Sequence, residues 1–283
     1  MLFFLFQGAS SLLDMILYYE STTHLDISDN SSMGTSSWRA LAHLIKQSVC
    51  LYRLDVCNVA LVDYPVQALS KALRSSRLTV LHLQHVQLSG MPLYTLGALK
   101  TNQALRELHL ANNLLNSYQD ALHLRDLLRF NNTLQTLELS NNAVADALEE
   151  LCDGLRWQEG GLKVLLLRNN QITVKGMEHL AKTLGNEGIQ IIREPLMVNN
   201  SVLQLGLAQA SITCEAVALA EFLAESRQIQ RLDLRHNEVK VGGLMALSLA
   251  LKINRSLCSL HVDHMPQQEE YANNNSIANN DNH

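Results

Sequence analysis

The stretch Leu105-x-x-Leu108-x-Leu110-x-x-Asn113-x-Leu115 places the strongest limit on what this chain can fold into. Its closely spaced leucines suit a short strand with one buried side. The Asn that follows can turn inward and bond backbone groups freed where the strand ends. The pattern recurs at Leu134, Leu137, Leu139, Asn142 and Val144, and again at Leu162, Leu165, Leu167, Asn170 and Ile172. A fourth copy runs through Ile229, Leu232, Leu234, Asn237 and Val239. One match carries little, but four in phase define a repeat.

With degenerate copies included, the fourth-position leucine falls at Leu25, Leu54, Leu81, Leu108, Leu137, Leu165, Leu205, Leu232 and Leu260. Successive differences are 29, 27, 27, 29, 28, 40, 27 and 28 residues, and 27–29 leaves room for a whole helix between strands. Apolar i, i+3/i+4 spacing predicts such helices over Val66–Leu73, Gly176–Leu184 and Gly243–Leu251. Another is expected over Ala9–Glu20, with Ser11 as N-cap. Strand, loop and helix in this rhythm give an α/β leucine-rich-repeat horseshoe, with a parallel concave sheet and convex helices. One full helix per repeat makes it resemble the ribonuclease-inhibitor class.

The boundaries follow from the same pattern. Residues 1–20 read as the helix half of a partial repeat, so the array is expected to start without a proper cap. Residues 21–265 form the solenoid, and the Asn-rich stretch 266–283 is expected to be disordered, leaving the last strand uncovered. The interval of 40 residues is about 16 short of two repeats. A strand therefore looks missing near 185–200, where Pro195 also interrupts any helix. The sheet is expected to split there, into strands one to six and seven to nine. Val59, Val86 and Ala210 replace the inward Asn, so their turns are expected to be less well specified.

Composition narrows function mainly by exclusion. A formal net charge of −5 does not suit general affinity for nucleic acid or anionic membranes. No apolar run reaches the ~18 residues of a membrane span. Five cysteines, Cys50, Cys57, Cys152, Cys214 and Cys258, make no disulfide framework and read as small buried residues in a reducing compartment. A cytosolic location, with the nucleus as the alternative, follows as an expectation. There is no phosphate loop, G-x-S-x-G, H-E-x-x-H or C-x-x-C, so no enzyme and no cofactor are expected.

The functional surface is expected on the concave sheet. Outward positions carry Asp26, Arg53, Asp55, His82, Glu107, His109, Glu138, Arg168, Arg231, Asp233 and Arg235, with His24 and Thr136 beside them. Strands ~4.8 Å apart make His82 and His109 neighbours, flanked by Asp55 and Glu138. A divalent ion is conceivable there, but a solvated surface that binds a protein partner is the stronger reading. The face grades from acidic with histidine to more basic, which would orient a partner. Trp38 and Trp157 read as packing residues.

Several stretches go beyond repeat consensus. Leu13–Ser28, Leu78–Leu83 with Leu88-Ser-Gly90, and Leu105-Arg-Glu-Leu108 resemble the subunit 37 family of leucine-rich-repeat regulators of protein phosphatase 1. So do Leu205-Gly-Leu-Ala208, Thr213-Cys-Glu215, Ala220–Ser226 and, most specifically, Gly242–Lys252, covering nearly all the chain except its tail. The resemblance implies inhibition of protein phosphatase 1, with docking through an R/K-V-x-F-type peptide ahead of the repeats. The sequence contains no such motif, so a truncated or spliced form lacking the docking peptide is expected. A scaffold with another protein partner is one alternative. A GTPase-activating repeat protein is a weaker one, because the tail holds only Glu269, Glu270 and Asp281.

Overall fold

The protein is described by a computed structural model over residues 8–30, 33–144, 148–158, 161–184 and 201–263. Helix α1 (Ala9–Tyr19) precedes strand β1 (His24–Asp26), and the two element types then alternate. There follow α2 (Thr35–Gln47), β2 (Arg53–Asp55), α3 (Val66–Ser75), β3 (Val80–His82) and α4 (Met91–Leu96) with a 3-10 turn at Gly97–Thr101. Next come β4 (Glu107–His109), α5 (Tyr118–Phe130), β5 (Thr136–Glu138), α6 (Leu148–Arg156), β6 (Val164–Leu166) and α7 (Val174–Leu184). The last are β7 (Gln204–Gly206), α8 (Ala216–Glu225), β8 (Arg231–Asp233), α9 (Val241–Ile253) and β9 (Ser259–His261). Each helix expected from spacing is present. Ser11 lies inside α1, whose N-cap is Gly8 without a side-chain bond.

All nine strands form one parallel sheet in sequence order. The fourth-position leucines face one another across every pairing, from Leu25↔Leu54 to Leu232↔Leu260. From Leu25 to Leu232 they are at most 2% exposed, so each withdraws an aliphatic side chain worth about 1.5–3 kcal/mol from water. The expected break is absent: β6 pairs with β7 through Val164↔Gln204, Leu165↔Leu205 and Leu166↔Gly206. The strand register thus continues unbroken from β6 to β7. The irregular stretch 185–200 and the tail 266–283 lie outside the described residues.

Each inward Asn stitches its own turn to the one before. The Asn142 amide donates to the carbonyls of Leu110 at 2.8 Å and Leu139 at 3.0 Å, while its Oδ1 accepts the Asn113 N–H at 2.8 Å. Asn113, Asn170 and Asn237 repeat the pattern against Leu83, Leu139 and Leu207. In the doublets Asn112-Asn113, Asn141-Asn142 and Asn169-Asn170 the two residues divide the work. The first takes a left-handed φ of 54–59°, which Asn tolerates, and the second points inward. The expected looseness at Val86 and Ala210 does not arise, because their N–H groups donate to Asn113 and Asn237 of the following repeat at 2.9 Å. Val59, followed by Val86, has no inward Asn in the next turn.

A second ladder ties the helix C-termini together. Asn131 donates to the carbonyls of Leu99 and Asn102, and accepts from the N–H groups of Thr133 and Leu134. Asn102 and Asn254 make the same bridges, and Ser48, Ser76 and Ser226 stand at equivalent helix ends. On the helix layer, Gly154 brings α6 onto the backbone of α5, since an added Cβ would lie 2.6 Å from the Arg125 carbonyl oxygen. Beyond α9, Leu257 and Leu260 are half-buried and Val262 is 43% exposed, so the last strand is more open than the rest. The cysteines depart from expectation. All five are free, but only Cys152 is buried, its thiol pushed up to about 12 by that burial, while Cys214 and Cys258 are exposed.

Asn142→Ala strands the Asn113 N–H in the dry interior, while the Leu110 and Leu139 carbonyls keep Asn113 and Asn170 as donors, and should destabilise the protein by about 1–3 kcal/mol in denaturant titration. Gly154→Ala gains roughly 1 kcal/mol of helix propensity but must push α5 and α6 apart, so a net loss of about 1–3 kcal/mol is expected. A neutral result at either position would contradict the packing described.

Candidate recognition surface on the concave sheet

The first five strands display a connected row of imidazoles and carboxylates. Parallel pairing in strict register sets this up, because Asp55, His82 and His109 are Cα partners on consecutive strands. Asp55 is the hub at the N-terminal end. It lies 2.6 Å from His24 Nε2, accepts from Arg53 Nε at 3.1 Å, and sits 3.5 Å from His82 Nδ1. The rings of His82 and His109 pack at 4.1 Å between centroids. His109 Nδ1 reaches Glu138 at 2.6 Å, and Gln84 donates to the same carboxylate at 3.2 Å. Glu107 comes no nearer than 3.7 Å to His109 Nε2, too far for a hydrogen bond, and that buried nitrogen has no partner among the described residues.

These groups are partly dry, and their ionisation follows from their neighbours. Burial raises the Asp55 carboxyl, but hydrogen bonds from Arg53 and His24, with the nearby His82, leave it below the usual range. The bond to His109 holds Glu138 down against its own burial. His82 is held below its ordinary value by burial and by the His109 ring, against the pull of Asp55. Among the described residues no three His, Cys, Asp or Glu side chains are placed to share a metal ion. The groups pair off along the strands, giving a fixed donor and acceptor pattern that suits recognition.

The remaining candidates stand apart from this row. Asp26 accepts the Ser28 N–H at 2.9 Å and closes its own strand end. Leu166 and Gly206 interrupt the polar column. Beyond them Asp233 is engaged by Arg235 at 2.7 and 2.9 Å, so the expected basic end is partly neutralised. Arg168 and Arg231 are exposed and have no ion-pair partner among the described residues. Gln84 was not foreseen, since it lies past the strand proper. Trp38 is buried as expected, whereas Trp157 is 44% exposed, with Arg129 5.0 Å above its ring. It covers surface rather than core.

A sheet of this register, helices on its convex side and an inward Asn in successive turns define the chain as an α/β leucine-rich-repeat solenoid. The Leucine Rich repeat family model matches residues 130–147 and 226–248. The yeast Rad7 and Elc1 complex aligns over 91% of this chain and 69% of that one, with a TM-score of 0.50 and 16% identity, and shows the same fold. Over 180 residues, 62% of the chain, the sequence is 50% identical to Protein phosphatase 1 regulatory subunit 37 of Bos taurus, covering 26% of that protein. The Caenorhabditis elegans homolog is 37% identical over 185 residues and is covered over 20% of its length. The chain thus spans about a quarter or less of the curated relatives it matches, and the similarity covers less of it than its motifs led one to expect.

The pH dependence of stability has a defined sign. His82 binds its proton less tightly in the folded than in the unfolded protein, so stability rises with pH up to the ordinary histidine value of ~6.5. The depressed Asp55 and Glu138 act in the same direction. Their stabilisation is present above the unfolded carboxylate range and is lost as pH falls through their lowered folded values. Melting temperature should therefore fall between pH 7 and pH 5, and His82→Gln should flatten that fall. Identical slopes for both proteins would contradict the assignment.

Proposed function

We propose that this array is the recognition module of a protein phosphatase 1 regulator, non-catalytic, with the concave sheet as its partner surface. The observation that carries the reading is 50% identity to a named regulatory subunit over 180 residues of the array itself. The concave row supports it: bonded side chains on a rigid lattice lose little freedom on binding, so a partner meets a preorganised surface. In this reading the phosphatase is engaged chiefly through an R/K-V-x-F-type peptide that the present sequence does not contain, and the concave face takes a protein partner. Inhibition of the phosphatase is part of this proposal, as is action in the cytosol or nucleus. No helix among the described residues is long and apolar enough to cross a membrane.

The test is retention of the protein phosphatase 1 catalytic subunit by the chain, with and without an appended R-V-x-F peptide, alongside a phosphatase assay. The peptide should raise retention at least about tenfold and bring inhibition, while charge reversal at Glu107 and Arg231 should leave phosphatase binding unchanged. Retention without the peptide, abolished by those reversals, would instead give the concave face the phosphatase contact. If the peptide-bearing chain neither binds nor inhibits, the array serves another partner.

A further inference from the structure

The convex layer carries a second surface. Arg39, His43 and Lys46 follow at i, i+4 and i+7 and so share one exposed face of α2. Facing them across an open groove of about 640 Å³ is Lys71 of α3, with Ala42, Pro65, Val66 and Ala68 also lining the space. The groove exists because small residues stand where the helices would otherwise interlock. Neither α2, α3 and α4 nor the 3-10 turn after α4 contains an Asp or Glu. Arg39, Lys46 and Lys71 accordingly have no ion pair among the described residues. The next helices differ: Arg125 is paired with Asp126 and with Glu150 on α6. In a chain of net charge −5, α2 and α3 present only basic charges to the groove between them, while the nearest acids are Asp14 on α1, Glu20 bonded to Ser48 at the end of α2, and Asp63 two residues before Pro65.

We propose that the α2/α3 groove docks an acidic, amphipathic segment of a protein partner. Aliphatic side chains of that segment would lie against Val66, Ala42 and Ala68, and its carboxylates would face Arg39, Lys46 and Lys71. The aliphatic lining favours a peptide over a nucleic acid, since base recognition uses several stacking aromatics and no Phe, Tyr or Trp lines the groove, His43 being its one ring. This surface faces away from the concave sheet, so its occupation does not depend on what the sheet binds.

The test is fluorescence anisotropy with a labelled helical Glu/Leu peptide, the same peptide with Gln for Glu, and a U-rich RNA of matched charge. The acidic peptide should bind saturably and weaken with added salt, and the Gln version should bind about tenfold less tightly. Lys46→Glu combined with Lys71→Glu should cost at least about tenfold, and Ala68→Trp, which fills the groove without changing charge, should also weaken binding. Lys252→Glu on the distant α9 should have no effect. Circular dichroism checks that the exposed helical substitutions leave the fold intact. No saturable peptide binding, equal losses from Lys252→Glu and the double reversal, or RNA bound as tightly as the peptide would each overturn the proposal.

Discussion

A parallel strand of three residues ends with its backbone groups still unpaired, and in this protein one side-chain amide resolves that problem. Asn113, Asn142, Asn170 and Asn237 carry a donor and an acceptor on one planar group, matching what two successive turns leave open. The same bonds fix the distance from one repeat to the next. Leucine burial holds sheet and helices together, but burial is non-directional and would tolerate slippage. The amide bridge is directional, so it sets the register. The second ladder, through Asn102, Asn131 and Asn254, does the same at the helix ends, so a repeat that carries both residues, as with Asn113 and Asn131, is pinned at both.

The concave surface inherits its order from that register. His82 and His109 stack because their strands are locked Cα to Cα, and Asp55 and Glu138 close the row from either end. Paired groups cost little to hold partly dry, and an unpaired carboxylate there would not. The result is a polar surface whose side chains are fixed by one another. Further along, Leu166 beside Gly206 leaves an apolar gap, and the polar groups past it form a separate cluster around Asp233. A partner lying along the sheet would meet two patches of different chemistry rather than one smooth gradient.

Much of this was legible in the sequence because its signals are local and periodic. The leucine spacing located the nine strands, and the Asn after each strand copy marked four of the turns. The adjacency of His82 and His109 followed from strand order alone. Other features were not legible. The 40-residue interval suggested a broken sheet, but spacing counts residues and cannot tell a lost strand from a longer connection. The strand pairing at Val164↔Gln204 decides it. The helix-end asparagines Asn102, Asn131 and Asn254 lie outside the leucine pattern, and their role needed three-dimensional partners. Arg235 looked free because bonding to Asp233, two residues away, depends on side-chain direction. Trp157 read as a packing residue, but its sequence does not say how much of it the fold leaves exposed.

One continuous sheet, bridged at its Asn-bearing turns, carries the recognition surface. Hydrogen exchange at the junction of β6 and β7 tests it most directly. Leu167 and Leu203 donate their N–H groups across that junction at 2.8 Å, to Gly206 and Lys163. Peptides spanning 164–167 and 203–207 should exchange as slowly as those covering β4 and β5. Rapid exchange there, with protection retained on either side, would mean two separate sheets, and the single lattice would have to be abandoned.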